Sequence, residues 1–112
     1  MQRRFRLNSS NDFKRVRRFG KSYAHPLIVL IAQQNELEKT RFAVSAGRSV
    51  GIAVQRNRAK RLLREAVRPL IKEITLSWDI LLIARRPLVD ATFVEVQEAL
   101  IRLLQRANLM VK

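Results

Sequence analysis

Apolar and polar positions fall along this chain in blocks of differing period, and each block predicts an element. Residues 10–19, SNDFKRVRRF, set Phe13 and Val16 among cations at helical spacing. Ser9 with Asp12 three residues later forms a weak capping box, and Gly20 is placed to end the helix. LIVLIAQ, residues 27–33, is short, rich in β-branched side chains and uninterrupted, the pattern of a strand covered on both faces. A polar connection, NELE, leads to RFAVSA (41–46), where Phe42, Val44 and Ala46 alternate onto one face. Pairing these two strands as a hairpin is the economical expectation.

GRSVG, with two glycines, interrupts the pattern before residues 52–68. Wound at about 100° per residue, that segment gathers Ala59, Leu62, Leu63, Ala66 and Val67 on one side, with Leu70 continuing the stripe. Arg56, Lys60, Arg64 and Arg68 stack along an adjoining edge, Asn57 and Arg61 lie beside them, and Arg58 points well round to the far side. One face is therefore set to pack on a sheet while the other forms a basic ridge. Pro69 has no amide hydrogen, so the helix should kink or end near Arg68. DILLIA (79–84) reads as a third apolar strand, closed by RRP. The last helix opens on a capping box, Thr92 with Glu95, and puts Phe93, Val96, Leu100, Leu103, Leu104 and Ala107 on one face. Its other face mixes Glu95, Glu98, Arg102 and Arg106, with Glu98 and Arg102 spaced as an i,i+4 pair. That helix reads as a core element with an ordinary solvated face and no recognition role.

Charge changes the picture. Among 112 residues, 23 are Lys or Arg and nine are acidic, a net charge of +14. Solubility needs a magnitude of only roughly 2 to 8, so the excess predicts an extended polyanion as partner. Like charges at i,i+4 cost a helix a few tenths of a kcal/mol each. The ridge is therefore held down by its apolar face, and phosphates would relieve its repulsion. Asn57 between two arginines can both donate and accept, so it can fix a base edge, a 2′-hydroxyl or a phosphate. A second cluster, DFKRVRRFGKSY, interleaves Phe13, Phe19 and Tyr23 with Lys14, Arg15, Arg17, Arg18 and Lys21. Aromatics among cations suit single-stranded nucleic acid, although Phe13 and Val16 would equally anchor the helix on the core, and for Phe19 and Tyr23 both readings stand.

The length suits one domain, and with 47% hydrophobic residues the chain can bury a core. Cysteine is absent, which excludes a disulfide framework and a cysteine-rich zinc site. The basic start MQRRFRLNSSNDF is not followed by an apolar stretch, so it does not read as a secretory signal. LIVLIA is too short to span a bilayer, and the expectation is a cytoplasmic protein. His25, before Pro26, reads as an ordinary loop histidine. The acids show no metal-ligand spacing, Ser45 and Ser49 have no evident base, and the glycines form no phosphate loop. Nothing in the chain supports bond chemistry of its own.

The order helix–strand–strand–basic helix–strand–helix, with RNRAKRLLRE at its centre, resembles the protein subunit of bacterial ribonuclease P over nearly the whole length. NDFKRVRRFGKS is similar to that family's opening helix, GIAVQRNRAKRLLREAV to its signature helix, and DILLIARRP to its final strand. The resemblance implies an α+β fold. It would be a two-layer α/β sandwich like domain 2 of a small-subunit ribosomal protein, with a left-handed β-α-β crossover through the signature helix. It implies a single RNA-binding domain, residues 1–112, in a holoenzyme whose RNA subunit removes the 5′ leader of precursor tRNA using magnesium. No organic cofactor, membrane or further protein partner is implied. Carried over, Arg48, Arg56, Asn57, Arg58, Lys60, Arg61, Arg64 and Arg68 would contact the ribonuclease P RNA. Phe13, Arg17 and Ile31 would line the cleft that holds the leader. Many members carry aromatics where Arg17 and Ile31 stand, so here Arg17 would hold the leader by charge or guanidinium stacking. Ile52 stands where Asn is frequent. A ribosomal protein of similar charge and fold is the alternative. A membrane-surface helix would want Trp or Phe on its apolar edge, where this one has Ala, Leu and Val.

Overall fold

A computed structural model describes Arg6, Leu7 and residues 9–111. Residues 1–5, which carry most of the basic N-terminal stretch, lie outside that range, as do Asn8 and Lys112. The elements run α1 (Ser10–Phe19), β1 (Lys21–Ala24), β2 (Ile28–Gln34), β3 (Arg41–Ser45), α2 (Ala53–Val67), β4 (Trp78–Ala84) and α3 (Phe93–Arg106). Short 3-10 turns at Arg48–Val50, Arg68–Glu73 and Arg86–Asp90 join the later ones.

The four strands form one sheet in the order β1-β2-β4-β3. β1 pairs antiparallel with β2, β2 antiparallel with β4 (Leu30 opposite Leu82), and β3 parallel with β4. The expected hairpin of β2 and β3 therefore does not form, because β4 lies between them. Burial gives the reason. Isoleucine and leucine along β4 are covered on both sides, which only a central strand achieves, whereas β3 is mostly half-buried and takes an edge. β1, KSYA, is a strand that apolar pattern does not reveal, since Tyr23 alone turns inward.

Alternation along the strands divides the core in two. Ile28, Leu30, Ala32, Phe42, Ile80, Leu82 and Ala84 face α2 and α3, whose Ala59, Leu63, Ala66, Val67, Val96, Leu100, Leu103 and Leu104 complete the larger cluster. Ile31 and Leu81 face the other way and meet Leu7 and Val16, with Phe13, Val29, Ala43 and Ile83 around them. The two-layer expectation therefore holds for α2 and α3 on the sheet, and α1 adds a partial third layer on the opposite face. α2 ends at Val67, and Pro69 sits in the 3-10 turn that follows. The α3 capping box is present, with Glu95 N–H donating to Thr92 Oγ1 at 3.2 Å and Thr92 N–H to Glu95 Oε1 at 2.9 Å. Phe93, expected on the core face of α3, is instead 40% exposed in the first turn.

Helix α1 is fixed by three devices. Ser9 Oγ accepts the amides of Asn11 and Asp12. Gly20 closes the helix with ordinary extended backbone, so its importance is space: a Cβ there would lie 2.6 Å from the Val16 carbonyl oxygen and 2.7 Å from Ile31 Cγ2. The third device is ionic. Asp79, fully buried in β4, accepts Arg15 Nη2 at 2.6 Å, Arg41 Nε and Nη2 at 2.9 Å each, and Asn35 Nδ2 at 2.9 Å. Arg15 also donates to Gln33 Oε1. Asp12, expected to complete the cap, reaches Arg15 at 3.1 Å and Arg41 at 3.4 Å instead. Burial alone would push the Asp79 carboxyl up, but the hydrogen bonds from Arg41, Arg15 and Asn35 outweigh it and hold it below the usual carboxylate range.

Candidate nucleic-acid interface

The basic ridge begins at a backbone singularity. Gly51 adopts φ 147°, a conformation that disfavours side chains, and a Cβ there would collide with Gln55 Oε1. Gln55 Oε1 instead accepts the Ile52 amide at 2.9 Å and settles the first turn of α2. From that start, burial of Ala59, Leu63, Ala66 and Val67 fixes the helix on the sheet and thereby aims its other side outward.

Arg56, Lys60 and Arg64 lie half-buried along the border, with Asn57, Arg58, Arg61 and Arg68 exposed. Their apolar stems lean on the protein while the charged ends remain in water. The only acid on the ridge, Glu65, is 3.6 Å from Arg68, and both side chains are largely exposed, so that pair contributes little. No other member has a carboxylate within ion-pair distance among the described residues. Arg48 is set apart, in the 3-10 turn before α2, at the mouth of a cleft of about 320 Å³ shared with Ser49, Gln55, Arg86 and Asp90.

A second cleft, of about 230 Å³, runs along the β3 edge and is lined by Arg6, Leu7, Phe13, Phe42, Ala43, Val44 and Arg64. Leu7 N–H donates to the Phe42 carbonyl at 2.7 Å and Arg6 bridges to Phe42, so these two residues lie beside β3 and form one wall. Phe13 from α1 and Arg64 from α2 meet here, although their helices pack on opposite faces of the sheet. The sequence set these two in separate groups; the fold brings them to one cleft. Arg6 joins them, a residue that the sequence marked only as part of a basic run.

Two further expectations are sorted by burial. Arg17 is exposed one turn beyond Phe13, where its guanidinium is available. Ile31 is only 8% exposed beneath α1, against Gly20 and Val16. It packs there and supports the helix that carries Phe13. The even reading of the other aromatics also resolves. Tyr23 packs on the larger core, whereas Phe19 is 66% exposed with the Arg18 guanidinium carbon 5.2 Å from its ring centre.

The arrangement is chemically one-sided: donors, positive charge and one aromatic face, with Asp12 and Asp79 spent on Arg15 and Arg41. It can neutralise phosphates and stack a base. Among the described residues, no three His, Cys, Asp or Glu side chains gather closely enough to hold a metal ion. No helix of the described residues is long and apolar enough to cross a membrane.

Comparison with known proteins agrees with this geometry. A family model described as Ribonuclease P matches residues 1–108. The ribonuclease P protein component of Herpetosiphon aurantiacus is 41% identical over 109 residues, covering 97% of this chain and 89% of that protein. The solved structure of the Staphylococcus aureus RNase P protein superposes with a TM-score of 0.85 at 33% identity, covering 95% of this chain and 97% of that one. The Thermotoga maritima RNase P protein, solved with 1-(4-fluorophenyl)-2-thiourea, gives 0.81 at 32% identity, covering 90% and 98%. A single sheet flanked by α1 and by the basic helix, sequence identity along nearly the whole length and a matching family model converge: this chain belongs to the ribonuclease P protein family.

Proposed function

We propose that this chain is the protein subunit of a ribonuclease P holoenzyme, binding the catalytic RNA through α2 and the 5′ leader of precursor tRNA in the β3-edge cleft. The observation that carries the reading is that Phe13 and Arg64 line one cleft with Arg6. A single strand lying there would set a base against the Phe13 ring and phosphates against the two guanidiniums. Arg17 extends that positive lining by one turn of α1. The ridge of Arg56, Asn57, Arg58, Lys60, Arg61 and Arg68 takes the RNA subunit, with Arg48 extending it past Gly51. Arg64 belongs to both surfaces and is the natural junction between ribozyme and leader.

The protein's contribution is electrostatic. It replaces condensed counterions on both RNAs and lowers the repulsion between them. Scission of the phosphodiester belongs to the RNA subunit, with magnesium held mainly by that RNA. The fold, in this reading, is that of domain 2 of a small-subunit ribosomal protein, with a left-handed β3-α2-β4 crossover. The complex works in the cytoplasm.

The test adds purified protein to a bacterial ribonuclease P RNA and a precursor tRNA at low magnesium. Stimulated 5′ cleavage is expected, with a greater gain for leader-bearing than for leaderless substrate. Absence of stimulation refutes the reading, and cleavage by the protein alone refutes the division of labour.

A further inference from the structure

Three arginines converge on the β1–β2 turn, at the sheet edge opposite the Phe13 cleft. Arg106 Nη1 donates to the Ala24 carbonyl at 2.7 Å, and Arg85 Nη1 donates to the carbonyl of His25, the next residue, at 3.3 Å. Arg102 precedes Arg106 by one turn of α3, on the same side, and both charges are felt at His25. All three side chains are exposed. A guanidinium has five N–H donors, so one bond to a carbonyl orients the fork and leaves the others free. Among the described residues the ridge arginines of α2 have no comparable hydrogen-bonded anchor.

Among the described residues the cluster makes no ion pair. No carboxylate lies within ion-pair distance of Arg85, Arg102 or Arg106 among the described residues, and the Glu98–Arg102 pair expected from sequence is not made. The His25 ring offers no free acceptor either. Its Nδ1 accepts the Leu27 amide at 3.0 Å, which leaves the proton of the neutral ring on Nε2 as a further donor. Burial, reinforced by Arg102 and Arg106, holds the imidazole below its usual 6.5. The positive charge of the site therefore rests on its arginines.

An open surface of oriented donors fits successive phosphates of a strand better than a small anion, which would need an enclosing pocket. Position decides which strand. α2 packs over β3 and β4 and α3 over β1 and β2, side by side on one face of the sheet. A large RNA lying across that helical layer would meet both, whereas a leader held beside Phe13 lies at the far edge. Resting on the holoenzyme reading above, we propose that Arg85, Arg102 and Arg106 form a second phosphate-binding surface. It grips a segment of the ribonuclease P RNA other than the one met by α2. The expectation that α3 has no recognition role is revised accordingly.

Binding of the protein to a ribonuclease P RNA, measured from about 50 to 200 mM salt, tests this. Arg102→Gln removes no side-chain hydrogen bond seen among the described residues, so its melting temperature should equal that of the parent. Its log–log salt slope should be shallower by about 1, and that of Arg85→Gln/Arg102→Gln by about 2. The affinity ratio for leader-bearing over leaderless precursor tRNA should not change. A parental slope for the folded Arg102→Gln protein overturns the second surface, as does a loss seen only with precursor tRNA. Arg64→Gln run in parallel separates the two readings. If it alters binding and Arg102→Gln does not, only the second surface fails; if neither does, the holoenzyme reading fails with it.

Discussion

Replacing Asp79 with Asn removes one negative charge from a site where two arginines and an amide converge, and changes almost nothing in shape. The carboxylate is fully buried, while Arg41 and Arg15 side chains are 18% and 34% exposed. Breaking a buried pair by deleting one partner costs ~3 to 5 kcal/mol, because the other charge stays buried. Partial access of water to both arginines, and the continued presence of Asp12 beside them, bring Asp79→Asn to or below the bottom of that range, ~2 to 3 kcal/mol. Urea denaturation at neutral pH reads that loss directly.

The pH dependence makes the test sharp. Asp79 is held below its ordinary 3.8, so its ionised form stabilises the fold at every pH above that value. The contribution fades as pH falls through the lower, folded value. The stability gap between parent and Asp79→Asn should thus stay constant from pH 7 to roughly 4 and shrink below. Self-repulsion of the +14 chain weakens both proteins alike in acid and cancels in the difference. A gap that persists unchanged to pH 2 would show that the loss comes from packing, and that the ionic network does not hold α1.

Other outcomes follow from the same structure. Gly20→Ala should cost ~1 to 3 kcal/mol in thermal unfolding, since the new methyl meets the Val16 carbonyl and Ile31; an unchanged melting temperature would mean that α1 sits more loosely than its contacts imply. Leu63→Ala, at a fully buried site between α2 and the sheet, should lose ~2 to 5 kcal/mol by the same measurement. Lys60→Ala should leave stability intact and make the salt slope of RNA binding shallower by about 1. Phe13→Ala should weaken leader-bearing precursor tRNA more than leaderless substrate in a binding titration; equal weakening of both would assign Phe13 to the core alone.

The faces of α2 and α3 are legible in sequence because a single helix decides them. Burial of Ala59, Leu63, Ala66 and Val67, and of Val96, Leu100, Leu103 and Leu104, follows from a period of 3.6. Strand partners are not local. RFAVS alternates in the same way whether it pairs with β2 or with β4, and the choice depends on which strand needs cover on both faces. Asp79 carries a similar lesson: in sequence it is only the first residue of an apolar strand, and the fold brings Arg15 to it from 64 residues away. In the candidate site the residues of the ridge were readable from charge and spacing. The cleft was not, because Arg6, Phe13 and Arg64 reach it from separate elements around a sheet edge.

The insertion of β4 between β2 and β3 also sets a timetable. Until residues 78–84 have left the ribosome, β2 and β3 have no common neighbour and the sheet lacks its keystone. The cationic helix is synthesised before that keystone, so its oily side has only an unfinished surface to rest on. For this interval the most positively charged part of the chain is also the least anchored. A polyanion met in this interval would meet the helix before the sheet closes.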